Sequence, residues 1–175
     1  EFRRVLFRSR EAAEGRLNLL VGGDADLLQE CLPLLQCFAE HITHTGAAGS
    51  GHRMKLLHNY VSLGSVALIA EAAACALAAG VAPEVFVDVL AKGGGGGVAL
   101  ERLRPYLLAQ DPGGLRFSMS NALKDMGYYS AMARDGEAAH GIAQAVHDSF
   151  ALAVADGGPQ RLVPELVEIF KKKSR

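Results

Sequence analysis

A lysine and an asparagine four residues apart, Lys55 and Asn59, follow three glycines, Gly46, Gly49 and Gly51. On a helix, a spacing of four puts two side chains on one face. An ammonium and an amide one turn apart can hold a hydroxyl or carbonyl oxygen and a neighbouring carboxylate. The lysine can then act as a general acid, giving a proton to an oxygen that gains negative charge. The glycines let the backbone approach a ligand closely, and a helix N-terminus favours a negative group. By spacing alone, the same residues also read as a surface lysine and a polar helix residue beside a glycine turn.

Other constellations carry less. Gly93–Gly97 lacks the Gly-Lys-Ser/Thr end of a phosphate-binding loop and does not follow a strand, so it reads as a helix–helix connection. His41 and His44 are three apart on a predicted strand and face opposite ways. His52, His140 and His147 have no cysteine or carboxylate at ligand spacing, so no metal site is expected. His140 and His147 read as ordinary helix residues. Cys31, Cys37 and Cys75 fit no disulfide or metal framework. Cys75, inside an alanine run, is expected to be a buried small hydrophobe. Asp125 alone reads as a solvated helix residue.

The elements that would position Lys55 and Asn59 are of two kinds. Residues 16–23 form a short apolar run closed by glycines, and residues 41–45 a short β-branched one; both predict strands. Between them Asp24 or Asp26 can cap a helix carrying Leu28, Cys31, Leu35 and Phe38, which Pro33 should kink or restart. Strand–helix–strand is the pattern of an α/β layer. Two strands do not make a stable sheet alone, so residues 10–48 read as the tail of a larger α/β domain.

After Gly49 the character changes. Residues 51–79 are nearly all good helix formers, rich in alanine, with Gly80 as the stop. About 28 residues of helix span about 42 Å. Further helices are predicted over 83–91, 98–108, 120–134, 137–156 and 159–171, with Pro83 and Pro159 in first turns. No strand signal follows residue 46. The layout is a fragment of an α/β domain, a long connecting helix, and an all-helical domain over 49–172.

Composition bounds the function classes. The chain has 175 residues, 50% of them hydrophobic, which excludes a disordered chain. A net charge of −1 argues against a nucleic-acid binder. The uncharged apolar run over 61–70 stops at Glu71, too short for a bilayer, so no membrane partner is expected. The three cysteines suit a reducing, cytoplasmic setting. Residues 1–9 look foreign, resembling the in-frame translation of a sequencing adapter, and the natural chain is expected to begin upstream. The basic tail, residues 173–175 after Lys171 and Lys172, reads as cations at a helix C-terminus.

Five segments carry a resemblance, in the family's order along the chain. The stretch from Gly46 through Lys55 to Asn59 resembles the catalytic-helix motif of the β-hydroxyacid dehydrogenases. Leu20–Asp24 resembles that family's Val-Gly-Gly-Asp strand end, and His44–Gly46 its His-x-Gly turn. Lys124-Asp125-Met126 resembles its Lys-Asp-Leu motif, with Phe117 at the expected distance before it. Glu11–Gly15 with Leu17 resembles the stretch after its substrate-binding Ser-Gly-Gly turn. The sequence departs from the family at His58, where many relatives carry a first asparagine, and at Gly157–Gln160, which replaces a Gly-x-x-Asp signal.

The resemblance implies a fold and a set of roles. The fold is mainly α: an all-helical domain like the C-terminal domain of 6-phosphogluconate dehydrogenase, preceded by a remnant of a Rossmann domain. Lys55 matches the catalytic lysine. Asn59 matches the substrate-orienting asparagine, and Gly51, Phe117 and Asp125 fall at the substrate site. Lys124 matches the lysine that reaches the NAD or NADP cofactor. The expected activity is hydride transfer between NAD(P) and a small 3-hydroxy acid or its semialdehyde, in a homo-oligomer paired through the helical domain. The glycine-rich dinucleotide fingerprint is absent, so this polypeptide alone is expected to be inactive. The alternative is a helical oligomerisation module that kept the fold and lost the reaction.

Overall fold

A computed structural model describes residues 10–173; the foreign-looking residues 1–9 and the end of the basic tail lie outside them. The chain divides into two compact units, one up to Leu57 and one from His58 onward.

The first unit opens with a four-residue helix, α1 (Arg10–Ala13). Strand β1 (Leu17–Gly22) and strand β2 (Ala39–Gly46) then pair in parallel, with helix α2 (Ala25–Leu35) as the crossover. Asp24 caps α2, its Oδ1 accepting from the Leu27 amide at 2.9 Å. The helix runs through Pro33 without restarting and stops at Leu35. Phe38, expected on the helix, instead lies in the turn before β2, where its carbonyl accepts from Leu17 N at 3.2 Å. Leu19, Leu20 and Val21 sit opposite Ile42, Thr43 and His44. Leu27 and Leu34 of α2 are exposed.

Helix α3 (Ser50–Ala78) leaves this unit and enters the second. Its start is locked by short contacts. Thr45 Oγ1 donates to the Val21 carbonyl and lies 2.7 Å from Ser50 Oγ. Gly80, at φ +77°, ends it, with Val81 N reaching back to the Ala76 carbonyl. A left-handed residue there suits glycine.

In the second unit α3 is followed by α4 (Pro83–Lys92), α5 (Val98–Ala109), α6 (Met119–Asp135), α7 (Gly141–Gly157) and α8 (Leu166–Lys173). Their apolar faces share one core: Val66 and Ala70 of α3, Leu100 and Leu103 of α5, Met119 and Met126 of α6, Phe150 of α7, and Leu166 and Ile169 of α8. Burying side chains of the larger kinds stabilises by roughly 1.5–3 kcal/mol each. Pro83 stands in the first turn of α4, as expected.

Three further sequence expectations change. The helix expected over 159–171 does not form as one piece. Residues 159–161 form a turn and a bend, and Leu162 then runs extended beside the start of α6: Met119 N donates to Arg161 O, Val163 N to Phe117 O, and Ser118 bridges Leu162 antiparallel. A 3₁₀ turn over Val163–Glu165 follows, and only then α8. The second change is at α7, which starts at Gly141 rather than Glu137, because Glu137 sits at φ +53°, outside helical backbone; His140 therefore precedes the helix. Third, Cys75 is exposed, not buried. Helix α3, with 29 residues, has the expected length; among the described residues it is the one helix long and apolar enough to cross a membrane by length and composition alone. One side of it, at Leu63, Val66, Ala70 and Ala73, is covered by protein.

Candidate active site

The residues of interest fall along α3 and on α6. In the first unit, Gly51 is fully buried against β1. A Cβ there would stand 2.3 Å from the Leu20 carbonyl oxygen, and one on Gly22 would stand 2.6 Å from both Ala47 O and Ser50 Oγ. The two glycines let helix and strand meet backbone to backbone. Lys55 follows on the same helix. Its side chain is exposed, and no hydrogen bond or ion pair ties its Nζ to another described residue.

In the second unit, Asn59 Nδ2 donates to Asp125 Oδ2 at 2.8 Å, joining α3 to α6 across 66 residues of chain. Asp125 is only 7% exposed, unlike the solvated residue that its sequence suggests. A carboxylate only accepts, so the amide nitrogen must face it. The amide oxygen therefore turns the other way, where His58 Nδ1 lies 3.3 Å from it. The other oxygen of Asp125 stands 3.6 Å from Lys124 Nζ, and the Lys124 side chain is half exposed. The result is a chain of polar groups, His58, Asn59, Asp125 and Lys124, ending in a cation open to solvent.

Phe117 is not part of that chain. It is half-buried against the helical core, and its carbonyl holds the Val163 amide. The pair that sequence reasoning missed is Tyr60 and Tyr129. Their rings stack with centroids 4.1 Å apart and planes 17° from parallel. Tyr60 follows Asn59 directly, and Tyr129 lies one turn beyond Asp125. Two tyrosines next to two candidate site residues were the available signal. Among the described residues no cluster of three His, Cys, Asp or Glu side chains could hold a metal.

A family model described as "NAD-binding of NADP-dependent 3-hydroxyisobutyrate dehydrogenase" matches residues 49–170. An uncharacterized oxidoreductase of Synechocystis sp. is 37% identical over 71% of this chain and 43% of its own length. An NAD-dependent L-serine dehydrogenase of Pseudomonas aeruginosa is 34% identical over 54% of this chain and 32% of its own. The structure of Mycobacterium tuberculosis 3-hydroxyisobutyrate dehydrogenase with L-serine superposes with a TM-score of 0.82 at 26% identity. That superposition covers 91% of this chain and 56% of that one. These matches put the chain among the β-hydroxyacid dehydrogenases. Within them it belongs to the 3-hydroxyisobutyrate dehydrogenase family. The chain spans about two fifths of the length of the first curated relatives that it matches.

Proposed function

We propose that this chain is the C-terminal part of an NAD(P)-dependent β-hydroxyacid dehydrogenase, with Lys55 as its proton donor and acceptor. The observation that carries the reading is the amide of Asn59. It is fixed by a buried carboxylate on another helix, four residues after a lysine with no partner among the described residues. A surface polar residue needs no such anchor. An asparagine that must present one defined atom to a substrate does.

When bound, the nicotinamide would supply the hydride donor or acceptor. In the reduction direction the carbonyl carbon of a semialdehyde takes the hydride, and the electron pair of its C=O bond moves to oxygen. Lys55 Nζ donates a proton to that oxygen and is reprotonated from solvent. In oxidation it takes the hydroxyl proton back. Asn59 holds the substrate through the amide oxygen turned away from Asp125 and through its second N–H. Asp125 positions Asn59.

The cofactor would be held by this chain at Lys124. The donor set fits: the ammonium is half exposed and leans on Asp125 at 3.6 Å, so donors remain for a polar cofactor oxygen. A glycine-rich turn of the kind that seats the pyrophosphate follows neither described strand. In this reading residues 10–48 close an α/β dinucleotide-binding domain. Residues 49–172 form the helical domain of the 6-phosphogluconate dehydrogenase C-terminal type, which pairs in a homo-oligomer of a cytoplasmic enzyme.

The substrate class is a small 3-hydroxy acid. Serine, which names one relative and is bound in one structural neighbour, is itself a 3-hydroxy acid. The test is an assay of hydride transfer with L-serine and 3-hydroxyisobutyrate, on this chain alone and on the chain joined to its upstream coding region. Turnover by the joined protein only is the expected result. Turnover by neither removes the enzymatic reading and leaves the non-catalytic oligomerisation module.

A further inference from the structure

We infer that Tyr60 and Tyr129 are positioning residues for the Asn59 amide. Their stacked rings fix the spacing and rotation of α3 against α6, so that the Asn59–Asp125 bond forms in one geometry. The inference rests on the dehydrogenase reading for its catalytic meaning but not for its structural content.

The Asn59–Asp125 hydrogen bond tolerates little displacement. At 2.8 Å it is near the optimum for N–H···O, and a separation of 3.6 Å would abolish it. Asn59 and Asp125 sit on different helices, so a sub-ångström shift between the helices decides whether the amide is held. Something beside the bond must set that separation. The ring pair is next to it on both helices: Tyr60 is the neighbour of Asn59 on α3, and Tyr129 shares a helix face with Asp125, one turn on. A near-parallel stack at 4.1 Å resists both sliding and tilting of the rings, which a single hydrogen bond does not.

The surroundings support a device made of rings, not hydroxyls. Tyr129 is buried, and neither phenol oxygen hydrogen-bonds to another described residue. Tyr60 is backed from its own helix by Gly64. A Cβ on Gly64 would lie 4.0 Å from Tyr60 Cε2 and 3.8 Å from Val146 of α7. The Tyr60 ring is therefore bounded by Tyr129 and by the Gly64 turn. On its remaining side it borders a cavity lined also by Val61, Leu68 and Val146, so its place is set by the stack with Tyr129.

A role for the rings alone makes a sharp expectation: phenylalanine keeps the device and leucine removes it. The side-chain NH2 resonances of Asn59 in this chain, identified by their loss in Asn59→Asp, report the bond to Asp125. In Tyr60→Phe and Tyr129→Phe they stay where they are. In Tyr60→Leu and Tyr129→Leu they move toward the values of a hydrated amide and exchange faster with solvent. Unchanged backbone resonances of α5 and α8 show that the variant is folded. Tyr60, the less buried of the two, is the variant expected to keep its fold if Tyr129→Leu does not. In the complete enzyme the leucine variants lower kcat/KM about tenfold, most of it through KM, and the phenylalanine variants do not. Unmoved Asn59 resonances in a folded leucine variant overturn the inference, as does an unmoved KM. A complete wild-type protein without hydroxy-acid turnover overturns the functional reading instead, while the Asn59 resonances still decide the clamp.

Discussion

Asn59 and Asp125 are 66 residues apart in sequence and 2.8 Å apart in space, amide nitrogen to carboxylate oxygen. The bond decides which way the amide points, because its partner can only accept. It turns a polar residue on a long apolar helix into a group of fixed orientation.

Removing the acceptor frees the amide. Asp125→Ala leaves a half-buried donor without its partner, at a cost of about 1–3 kcal/mol, read in urea unfolding of this chain. Asn59→Asp replaces the bond by two facing carboxylates, and like charges at that distance do not both ionise easily. That variant is expected to unfold at lower urea concentration than the wild type at neutral pH. Wild-type-like unfolding of both variants would remove the bond from the account.

Two glycines of α3 respond oppositely to alanine. Gly51→Ala drives a methyl to within 2.3 Å of the Leu20 carbonyl, so helix and strand must part. The expected loss is about 1–3 kcal/mol. Gly64→Ala meets Val146 and Tyr60 at ordinary contact distances and removes a flexible residue from mid-helix. It is expected to stabilise by about 0.5–1 kcal/mol. Chemical denaturation of the two variants measures both signs.

Tyr106 gives the chain an alkaline weakness. Burial, and then the negative charges of Glu168 and Glu165, raise its phenol above the ordinary value. The folded state thus holds its proton more tightly than the unfolded state. The resulting stability is fully present below the unfolded pKa of about 10 and is lost as pH rises through the folded value. Thermal melts from pH 8 to 11 should show a loss above pH 10 that is smaller in Tyr106→Phe. Equal losses in the two proteins contradict this.

Much of the fold is legible in the chain. The alanine-rich stretch ending at Gly80 reads as one long helix because nearly all its residues favour helix and no proline interrupts it. The strand–helix–strand opening is legible from glycine-closed apolar runs and from Asp24. What escapes is non-local. Residues 159–162 carry a proline that suits a helix start, yet their backbone is taken by the segment before α6, about 40 residues earlier. Cys75 is misplaced because the second half of α3, apart from Glu71, is small or apolar on all sides, so no periodicity marks its covered face. Glu137 holds a left-handed backbone that its side chain does not announce.

The site divides in the same way. Lys55 and Asn59 stand out through their spacing, which is a property of one helix. The burial of Asp125 and the Tyr60–Tyr129 stack depend on two helices meeting, and neither leaves a mark within a short window. The motif around Lys124 is visible only through its resemblance to a family; its lean toward Asp125 at 3.6 Å is a property of the folded helix.

The most direct test of the central claim is the rate of hydride transfer in the complete protein, wild type against Lys55→Ala, with cofactor and hydroxy acid saturating. The account predicts a fall in kcat of about 10²–10⁴-fold, the usual contribution of a positioned general acid or base. Oligomeric state and melting temperature are expected to be unchanged, since Lys55 is exposed and its Nζ pairs with no other described residue. A Lys55→Ala protein that turns over at the wild-type rate would contradict the assignment of the proton transfer to Lys55.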